Sequence, residues 1–463
     1  MGVKPTACEP LWSTRAFSIA SSSLSERAKW GAMDPQTRAP RSFSASLLLV
    51  LGLLALAAVL VWVMVANGAE EPPSTTPTTD PPTTALPTST TVSTTTTTTT
   101  TTLPIEERVL SSLIGEMSLR DKALQLLVVG GPGTDLIEAI NQRVGSSCVG
   151  GVFLTEAQNN WGFDINGRAS ADAVLAAALG CTVGPVVVTD AEAGLRVLKV
   201  PVEPLVHPKN LDVALGEDLP GATAEFRSRS TRFASDLAAA GVHLNLGVLA
   251  DVDVDANHYM ARQRRSFGGD PVAVGALSEA MVMGHCEAGV AAVLKHFPNQ
   301  GATLNDPHFG DSVSSNSFEQ WRSFGAVPYV DTVAPVVMTG HIRYRGVDGD
   351  RPASLSSEIT NGWLRSELGF NGVVITDDLA TMAGVTVEGT AGARAVAAIE
   401  AGADWVLFVS FSEIEQIIAS IVERASADPG FLARVDESLD RLLRLKAALG
   451  LVNPLDPDQF SLC

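Results

Sequence analysis

The side chains best suited to proton transfer lie within one short segment, residues 295–310, with the sequence KHFPNQGATLNDPHFG. Lys295, His296, Asp306 and His308 all fall within it, directly after an apolar run. An imidazole titrates near neutral pH, and a neighbouring carboxylate can orient the ring and hold its proton. The segment therefore predicts a loop that moves a proton to or from a bound substrate.

A carboxylate that could act as a nucleophile is Asp377, which follows the apolar run of residues 373–376. In a parallel barrel, catalytic groups lie at the carboxyl ends of the strands, and Asp377 occupies such a position. Its neighbour Asp378 is interpreted as a helix N-cap, because Asp is favoured there. Asp377 and the loop together predict a nucleophile and an acid–base group in one site.

The elements that must position these residues follow a regular pattern. After about residue 105, short apolar runs alternate with helical stretches, which is typical of repeated βα units around a parallel sheet. Helices are predicted at residues 271–288 and 389–401. The predicted strands lie near residues 151–154, 186–189, 244–249, 292–296, 335–339, 373–376 and 405–409. The pattern favours a (β/α)8 TIM-type barrel with one degenerate element, and a doubly wound open sheet is the alternative.

Most of the predicted strands end in a polar side chain. Asp190 follows the second strand, Asp251 follows the third, and His341 follows the fifth. Lys295 and His296 close the fourth strand. Since the carboxyl ends of parallel barrel strands share one face, these side chains are expected to line a single pocket.

Several blocks of this sequence, in the same order, resemble glycoside hydrolase family 3, specifically its single-domain β-N-acetylglucosaminidase branch. The signature of that branch is K-H-F-P-G-H-G, then four residues, then D-S-H. Here KHFP occupies residues 295–298, and Asp306 and His308 fall at the same spacing. Further matches are MSL at 117–119, RSFG at 265–268, VMT at 337–339 and TDDL at 376–379. The resemblance covers about residues 105–450.

The resemblance implies a retaining hydrolase that removes terminal β-linked N-acetylglucosamine from cell-wall-type glycans through a glycosyl-enzyme intermediate. It makes Asp377 the nucleophile and His308 with Asp306 the acid–base pair. It implies that the substrate is bound by Asp190, Arg265, Lys295 and His296, whose side chains suit a hydroxyl-rich ligand. No metal or organic cofactor is expected, and the catalytic domain is expected to be monomeric.

Three departures from the family pattern concern the substrate pocket. The G-H-G turn is replaced by Asn299, Gln300 and Gly301, and the middle residue of D-S-H is Pro307, which fixes the backbone. The block at residues 190–199 has an extra residue and lacks the final Arg. Two alternatives stay open: a sugar-binding protein with weakened catalysis, and a family member that uses phosphate, since histidine would not repel that anion as a carboxylate would.

The residues before the barrel predict an anchored, exported protein. We interpret 1–42 as a cytoplasmic tail, 43–69 as a transmembrane or signal-anchor helix, and 70–104 as a disordered Thr/Pro-rich linker. The catalytic barrel is assigned to 105–450, with a tail at 451–463. Basic residues outnumber acidic ones before the apolar run, so the positive-inside rule places the catalytic domain outside the cell membrane. Cleavage as a signal peptide, which would give a secreted protein, and a start at Met33 stay open.

Composition and motifs exclude several function classes. The chain carries 51 Asp and Glu against 32 Lys and Arg, a net charge of −19, which argues against a nucleic-acid partner. It contains no G-x-S-x-G elbow and no phosphate-binding P-loop. Asp251 begins an alternation of aspartates, but Ala256 and Arg262 replace the Gly and Glu of a calcium loop. Cys148 and Cys181 could form a disulfide in an exported protein, or be two small buried residues.

Overall fold

The computed structural model describes residues 104–130, 148–154, 180–193, 202, 204–207, 218–410, 412–453 and 455–463. The predicted cytoplasmic tail, the apolar helix and the linker up to residue 103 lie outside these residues. The unusual block at 190–199 is described only as far as Ala193. Within the described ranges, no helix is both long enough and apolar enough to cross a membrane.

Eight parallel strands form the central sheet, and two further strands form a small sheet beside it. The strands in chain order are β1 (Leu127–Val129), β2 (Gly151–Leu154), β3 (Val186–Thr189), β4 (Leu244–Leu249), β5 (Ala291–Phe297), β6 (Ser312–Ser314), β7 (Val336–Thr339), β8 (Ile342–Tyr344), β9 (Val373–Thr376) and β10 (Val406–Phe408). The central sheet has the order β10-β1-β2-β3-β4-β5-β7-β9, and β6 pairs with β8.

The central sheet closes into a barrel between β9 and β10. Ile375 forms a bridge with Trp405, and the backbone N–H of Thr376 donates to the carbonyl of Trp405 at 3.1 Å. On its other side, β10 pairs with β1, which in turn pairs with β2. The structure is therefore a parallel α/β barrel of the predicted TIM type, and the doubly wound alternative is wrong.

Seven of the eight barrel strands lie where the sequence pattern predicts them. The strand that was not predicted is β1, which is separated from the preceding helix only by Leu126. The apolar residues of the helix and of the strand therefore run together, and no turn signal divides them. β1 supplies the element that the sequence pattern treats as degenerate.

The helices follow their local capping signals. The described α-helices are α1 (Ile105–Glu116), α2 (Leu119–Gln125), α3 (Leu219–Ala239), α4 (Tyr259–Arg262), α5 (Pro271–Glu287), α6 (Phe318–Ser323), α7 (Ala383–Thr386), α8 (Ala391–Ala401), α9 (Ile414–Ala427) and α10 (Pro429–Ala448). Asp270 caps α5 by accepting a hydrogen bond from the N–H of Val272 at 2.9 Å. Thr390 caps α8, which therefore begins two residues later than predicted.

The barrel strands are buried on both faces, as their unbroken apolar runs predict. Two disulfides connect more distant parts of the chain. Cys148 and Cys181 join the segments before β2 and β3, with their Cα atoms 6.1 Å apart. Cys286 in α5 is joined to Cys463, with a Cα–Cα distance of 6.2 Å. The disulfide alternative for the first pair is thus the one that the structure contains.

Candidate active site

The carboxyl ends of the barrel strands surround a cavity of about 220 Å³. Six of the seven site residues predicted from the sequence line it, namely Asp190, Arg265, Lys295, His296, His308 and Asp377. The seventh, Asp306, reaches the cavity through its hydrogen bond to His308. The structure therefore brings together side chains that are separated by up to 187 positions, because each follows or ends a strand or lies in a loop on the same face.

His308 and Asp306 form a hydrogen-bonded pair at the edge of the cavity. The ring Nδ1 of His308 lies 2.7 Å from Oδ1 of Asp306, and the backbone N–H of His308 donates to the same oxygen at 3.0 Å. A carboxylate only accepts hydrogen bonds, so Nδ1 carries hydrogen and Nε2 is left to exchange a proton. Burial raises the pKa of Asp306, but the hydrogen bonds from His308 outweigh it and lower that pKa overall.

Asp377 directly follows β9 and faces the cavity as an anion. Its backbone N–H donates to the carbonyl of Thr339 at 2.9 Å, and its Oδ1 accepts from the N–H of Asp378 at 2.8 Å. Burial would raise the pKa of Asp377, but the electrostatic influence of His296, and then of His341 and His308, lowers it to about 2. The carboxylate is therefore ionised at neutral pH, which a nucleophile requires.

Two buried cations are held by carboxylates in the wall of the cavity. Nζ of Lys295 lies 2.6 Å from Oδ1 of Asp190 and 3.0 Å from Oε1 of Glu192. Glu192 also accepts from Nε of Arg265 at 3.0 Å and from its Nη2 at 2.5 Å. Burial lowers the pKa of Arg265, but the charge and hydrogen bonds of Glu192 raise it by more. Both cations are thus fixed in place with nitrogen atoms available at the cavity.

Glu192 was not predicted as a functional residue, although it lies two positions after Asp190. Its side chain is completely buried, so the carboxylate serves the two cations and not the solvent. A sequence signal was present, because a second acidic residue directly after a buried strand needs a cation as partner. Nothing in the sequence identified which cations would pair with it.

The buried carboxylate of Asp251 orients His296 and the loop of residues 298–310, the predicted catalytic loop. Oδ2 of Asp251 lies 2.7 Å from Nδ1 of His296, and its Oδ1 accepts from the backbone N–H of Gln300 at 2.6 Å. The side chain of Asn299 accepts from the N–H of Val252 at 2.9 Å and so ties the loop to the end of β4. Asp251 therefore has a positioning role that its place after a strand did not reveal.

The departures from the family pattern have distinct structural consequences. Both atoms of the Gln300 side-chain amide are buried and have no hydrogen-bond partner among the described residues. The carbonyl of Pro307 accepts from the N–H of Gly384 at 3.0 Å, and that of His308 accepts from Ala383 at 3.3 Å. The loop that carries the acid–base pair is therefore attached to the first residues of α7.

Arg343 in β8 strengthens this attachment. Its Nε lies 3.0 Å from Oδ1 of Asp311, at the end of the loop, and its Nη2 lies 2.8 Å from Oε1 of Glu388, just beyond α7. The same Nη2 donates to the carbonyl of Gly384 at 3.0 Å. One guanidinium thus connects both segments that hold His308.

Asp378 has the capping role that the sequence suggested, but it caps a turn rather than a helix. Its Oδ1 accepts from the N–H of Ala380 at 2.9 Å and its Oδ2 from the N–H of Thr381 at 3.0 Å. Oδ1 also accepts from the N–H of Val409 at 2.8 Å, which fixes the end of β10 beside β9.

In the described part of the chain, no group of three or more His, Cys, Asp or Glu side chains could hold a metal ion.

Comparison with known proteins places this chain in a family. Residues 118–445 match the model of the Glycosyl hydrolase family 3 N terminal domain. A Mycobacterium tuberculosis protein named Beta-hexosaminidase LpqI is 31% identical over 346 residues, which cover 71% of this chain and 83% of that protein. A Bordetella avium Beta-hexosaminidase is 34% identical over 218 residues, 46% of this chain and 58% of that protein. The crystal structure of a Beta-N-acetylhexosaminidase from Beutenbergia cavernae has a TM-score of 0.62 at 29% identity and covers 72% of this chain and 99% of its own.

Proposed function

Since this chain belongs to glycosyl hydrolase family 3, a family of glycoside hydrolases, we propose that it removes a terminal β-linked N-acetylglucosamine from a glycan with retention of configuration. The relatives named beta-hexosaminidase and the solved Beta-N-acetylhexosaminidase support an N-acetylhexosamine as the sugar. The observation that carries the proposal is the placement of an ionised Asp377 and the His308–Asp306 pair on one cavity.

The proposed reaction has two steps. In the first, the carboxylate of Asp377 attacks the anomeric carbon while Nε2 of His308 gives its proton to the leaving oxygen, so the glycosidic bond breaks and a glycosyl-enzyme ester forms. In the second, His308 takes a proton from water, whose oxygen attacks the anomeric carbon and releases Asp377 as a carboxylate. Asp306 holds the imidazole in the orientation that both transfers need.

The walls of the cavity suit one sugar ring. Lys295 and Arg265 donate hydrogen bonds to hydroxyls, and Asp190 accepts from them, so these groups together with His296 are our proposed substrate contacts. The cavity of about 220 Å³ is smaller than the ~300–1,000 Å³ of sites for drug-sized ligands. Its size supports action on a terminal residue rather than within a chain.

Phosphorolysis is a second candidate, because the proton-transferring group is an imidazole. A carboxylate at that place would repel phosphate, whereas His308 would not. A sugar-binding protein with weakened catalysis agrees less well with the site, since Asp377 is ionised and His308 is oriented by Asp306.

For the segments before the barrel, we propose that one apolar helix at 43–69 anchors the protein in the cell membrane with the barrel outside, where cell-wall-type glycans would be its substrates. The support is the uncharged apolar run, the excess of basic residues before it and the Thr/Pro-rich stretch after it. Detection of the barrel in the membrane fraction of cells and in the culture medium distinguishes the anchored form from a secreted one.

The activity is tested with the nitrophenyl β-glycosides of N-acetylglucosamine and of glucose, each with and without phosphate. We expect the N-acetylglucosaminide to be turned over without phosphate. Asp377→Asn should abolish this turnover, and the exposed control Glu319→Gln on α6 should retain it. Proton NMR of the first product formed should show the β-anomer. An α-anomer would contradict retention, and turnover that requires phosphate would establish the second candidate.

A further inference from the structure

Exposed apolar side chains gather on the segments around the acid–base pair. They are Val254 with 43% of its surface exposed, Leu304 with 56%, Val387 with 73% and Phe309 with 88%. Leu304 and Phe309 belong to the catalytic loop, Val387 ends α7, and the N–H of Val254 donates to Gly301 in the same loop at 3.2 Å. Single exposed valines need no explanation, but a phenylalanine ring almost wholly in solvent is an unused apolar surface.

Phe309 is held at a fixed place relative to the proton donor. It follows His308 in the chain, and the two ring centroids lie 6.4 Å apart with an interplanar angle of 49°. The N–H of Phe309 donates to the carbonyl of Asp306 at 3.1 Å, and the two preceding carbonyls are bound by the first residues of α7. The ring is therefore exposed although the backbone that carries it is anchored.

The position of His308 defines what lies next to Phe309 during the reaction. The proton donor must contact the oxygen that joins the departing group to the terminal sugar, so the first ring of the departing group lies beside the imidazole. At 6.4 Å between centroids, the ring of Phe309 is within reach of a six-membered ring bonded to that oxygen.

We propose that Phe309 forms a subsite for the leaving group and that its occupant is a sugar ring, whose C–H face packs against the phenyl ring. The inference rests on the proposed function, because only a glycosidic substrate places a departing ring beside His308. The face of an aromatic ring carries partial negative charge, which favours the C–H groups of a pyranose. The subsite thus stabilises the transition state for a disaccharide or longer glycan and contributes nothing for a glycoside whose leaving group is one atom.

The test compares two substrates of the full chain. The first is the β-1,4-linked disaccharide of N-acetylglucosamine, and the second is N-acetylglucosaminyl β-fluoride, whose leaving group cannot contact Phe309. We expect Phe309→Ala to lower kcat/KM for the disaccharide by roughly tenfold and to leave that for the fluoride within about twofold. Phe309→Trp should retain the activity on the disaccharide. Ile105→Ala in α1, at a side chain that is 64% exposed, is the matched control and should change neither.

The outcomes separate this inference from the function on which it rests. An equal loss on both substrates, or no loss on the disaccharide, would overturn the subsite while the hydrolase stands. No turnover of either substrate by the unchanged protein would overturn the hydrolase and the subsite together. Thermal unfolding of each variant detects a folding defect, and Phe309→Leu repeats the comparison with an apolar, non-aromatic side chain if Phe309→Ala unfolds early.

Discussion

Replacing Glu192 by glutamine keeps the shape of the side chain and removes the charge that two buried cations share. Glu192 is fully buried, while the side chains of Lys295 and Arg265 are only 2% and 6% exposed. After the change, Lys295 keeps Asp190 at 2.6 Å, but Arg265 loses its anionic partner and keeps only neutral acceptors, the glutamine amide oxygen and the hydroxyl of Tyr259 at 3.3 Å. Within the cluster of Lys295, Arg265 and Asp190, two positive charges then share one carboxylate.

The cost of Glu192→Gln follows from that imbalance. Removing one partner of a buried ion pair costs about 3–5 kcal/mol, because the remaining charge is left uncompensated. With ~2–4 °C per kcal/mol for domains of moderate size, the midpoint of thermal unfolding should fall by roughly 6–20 °C. Asp190→Asn is the milder comparison, since Asp190 is 19% exposed and contacts only one of the cations. We expect it to lower the midpoint by clearly less.

Two quantities are measured near neutral pH, namely the midpoint of thermal unfolding and KM for the nitrophenyl β-N-acetylglucosaminide. KM should rise in Glu192→Gln, because Lys295 and Arg265 lose their fixed positions. The sharpest test adds Lys295→Met, which removes the excess positive charge, so that the double variant should recover part of the lost stability. A midpoint for Glu192→Gln within a degree or two of the parent, or no recovery in the double variant, would refute the charge-balance argument.

Three further changes test other parts of the site. Asp377→Asn should reduce the loss of stability between about pH 5 and pH 2. The carboxyl has a pKa of ~3.9 in the unfolded chain and about 2 in the folded protein, so it stabilises the fold above pH ~3.9 and loses that contribution as the pH falls. Unfolding midpoints across this pH range check the prediction, and an unchanged acid profile would contradict it. Arg343→Ala should lower kcat roughly 10- to 100-fold with little change in KM, because the loop that carries His308 loses the side-chain part of its connection to α7. Steady-state kinetics check it, and an unchanged kcat would show that the remaining backbone bonds to α7 suffice. Gln300→Leu should raise the free energy of unfolding by about 1–2 kcal/mol, because the buried side-chain amide has no hydrogen-bond partner among the described residues. Denaturant titration measures this change. A loss of stability would indicate that bound water forms hydrogen bonds with the amide.

The sequence predicted the barrel and most of the residues that meet at the site because both depend on local patterns, whereas Arg265 was predicted only from the block that resembles the family's. Apolar runs end in polar side chains, and the carboxyl ends of parallel strands share one face. Side-chain contacts between residues that are far apart in the sequence leave no such local pattern. The bonds from Glu192 to Lys295 and Arg265 span 103 and 73 positions, and the bond from Asp251 to His296 spans 45. β1 was missed for a local reason, since Leu126 alone separates it from α2.

The hydrogen bonds of the site support Asp377, rather than another carboxylate, as the proposed nucleophile. Asp190, Glu192 and Asp251 each contact a cationic side chain or an imidazole at 3.0 Å or less. Such contacts withdraw electron density from the carboxylate oxygens and hold them away from a reacting carbon. Asp377 receives one backbone N–H bond, on Oδ1, and the histidines act on it electrostatically, without a side-chain hydrogen bond among the described residues. Asp377 is therefore ionised and keeps an oxygen free to form a bond, which is the combination that a nucleophile needs.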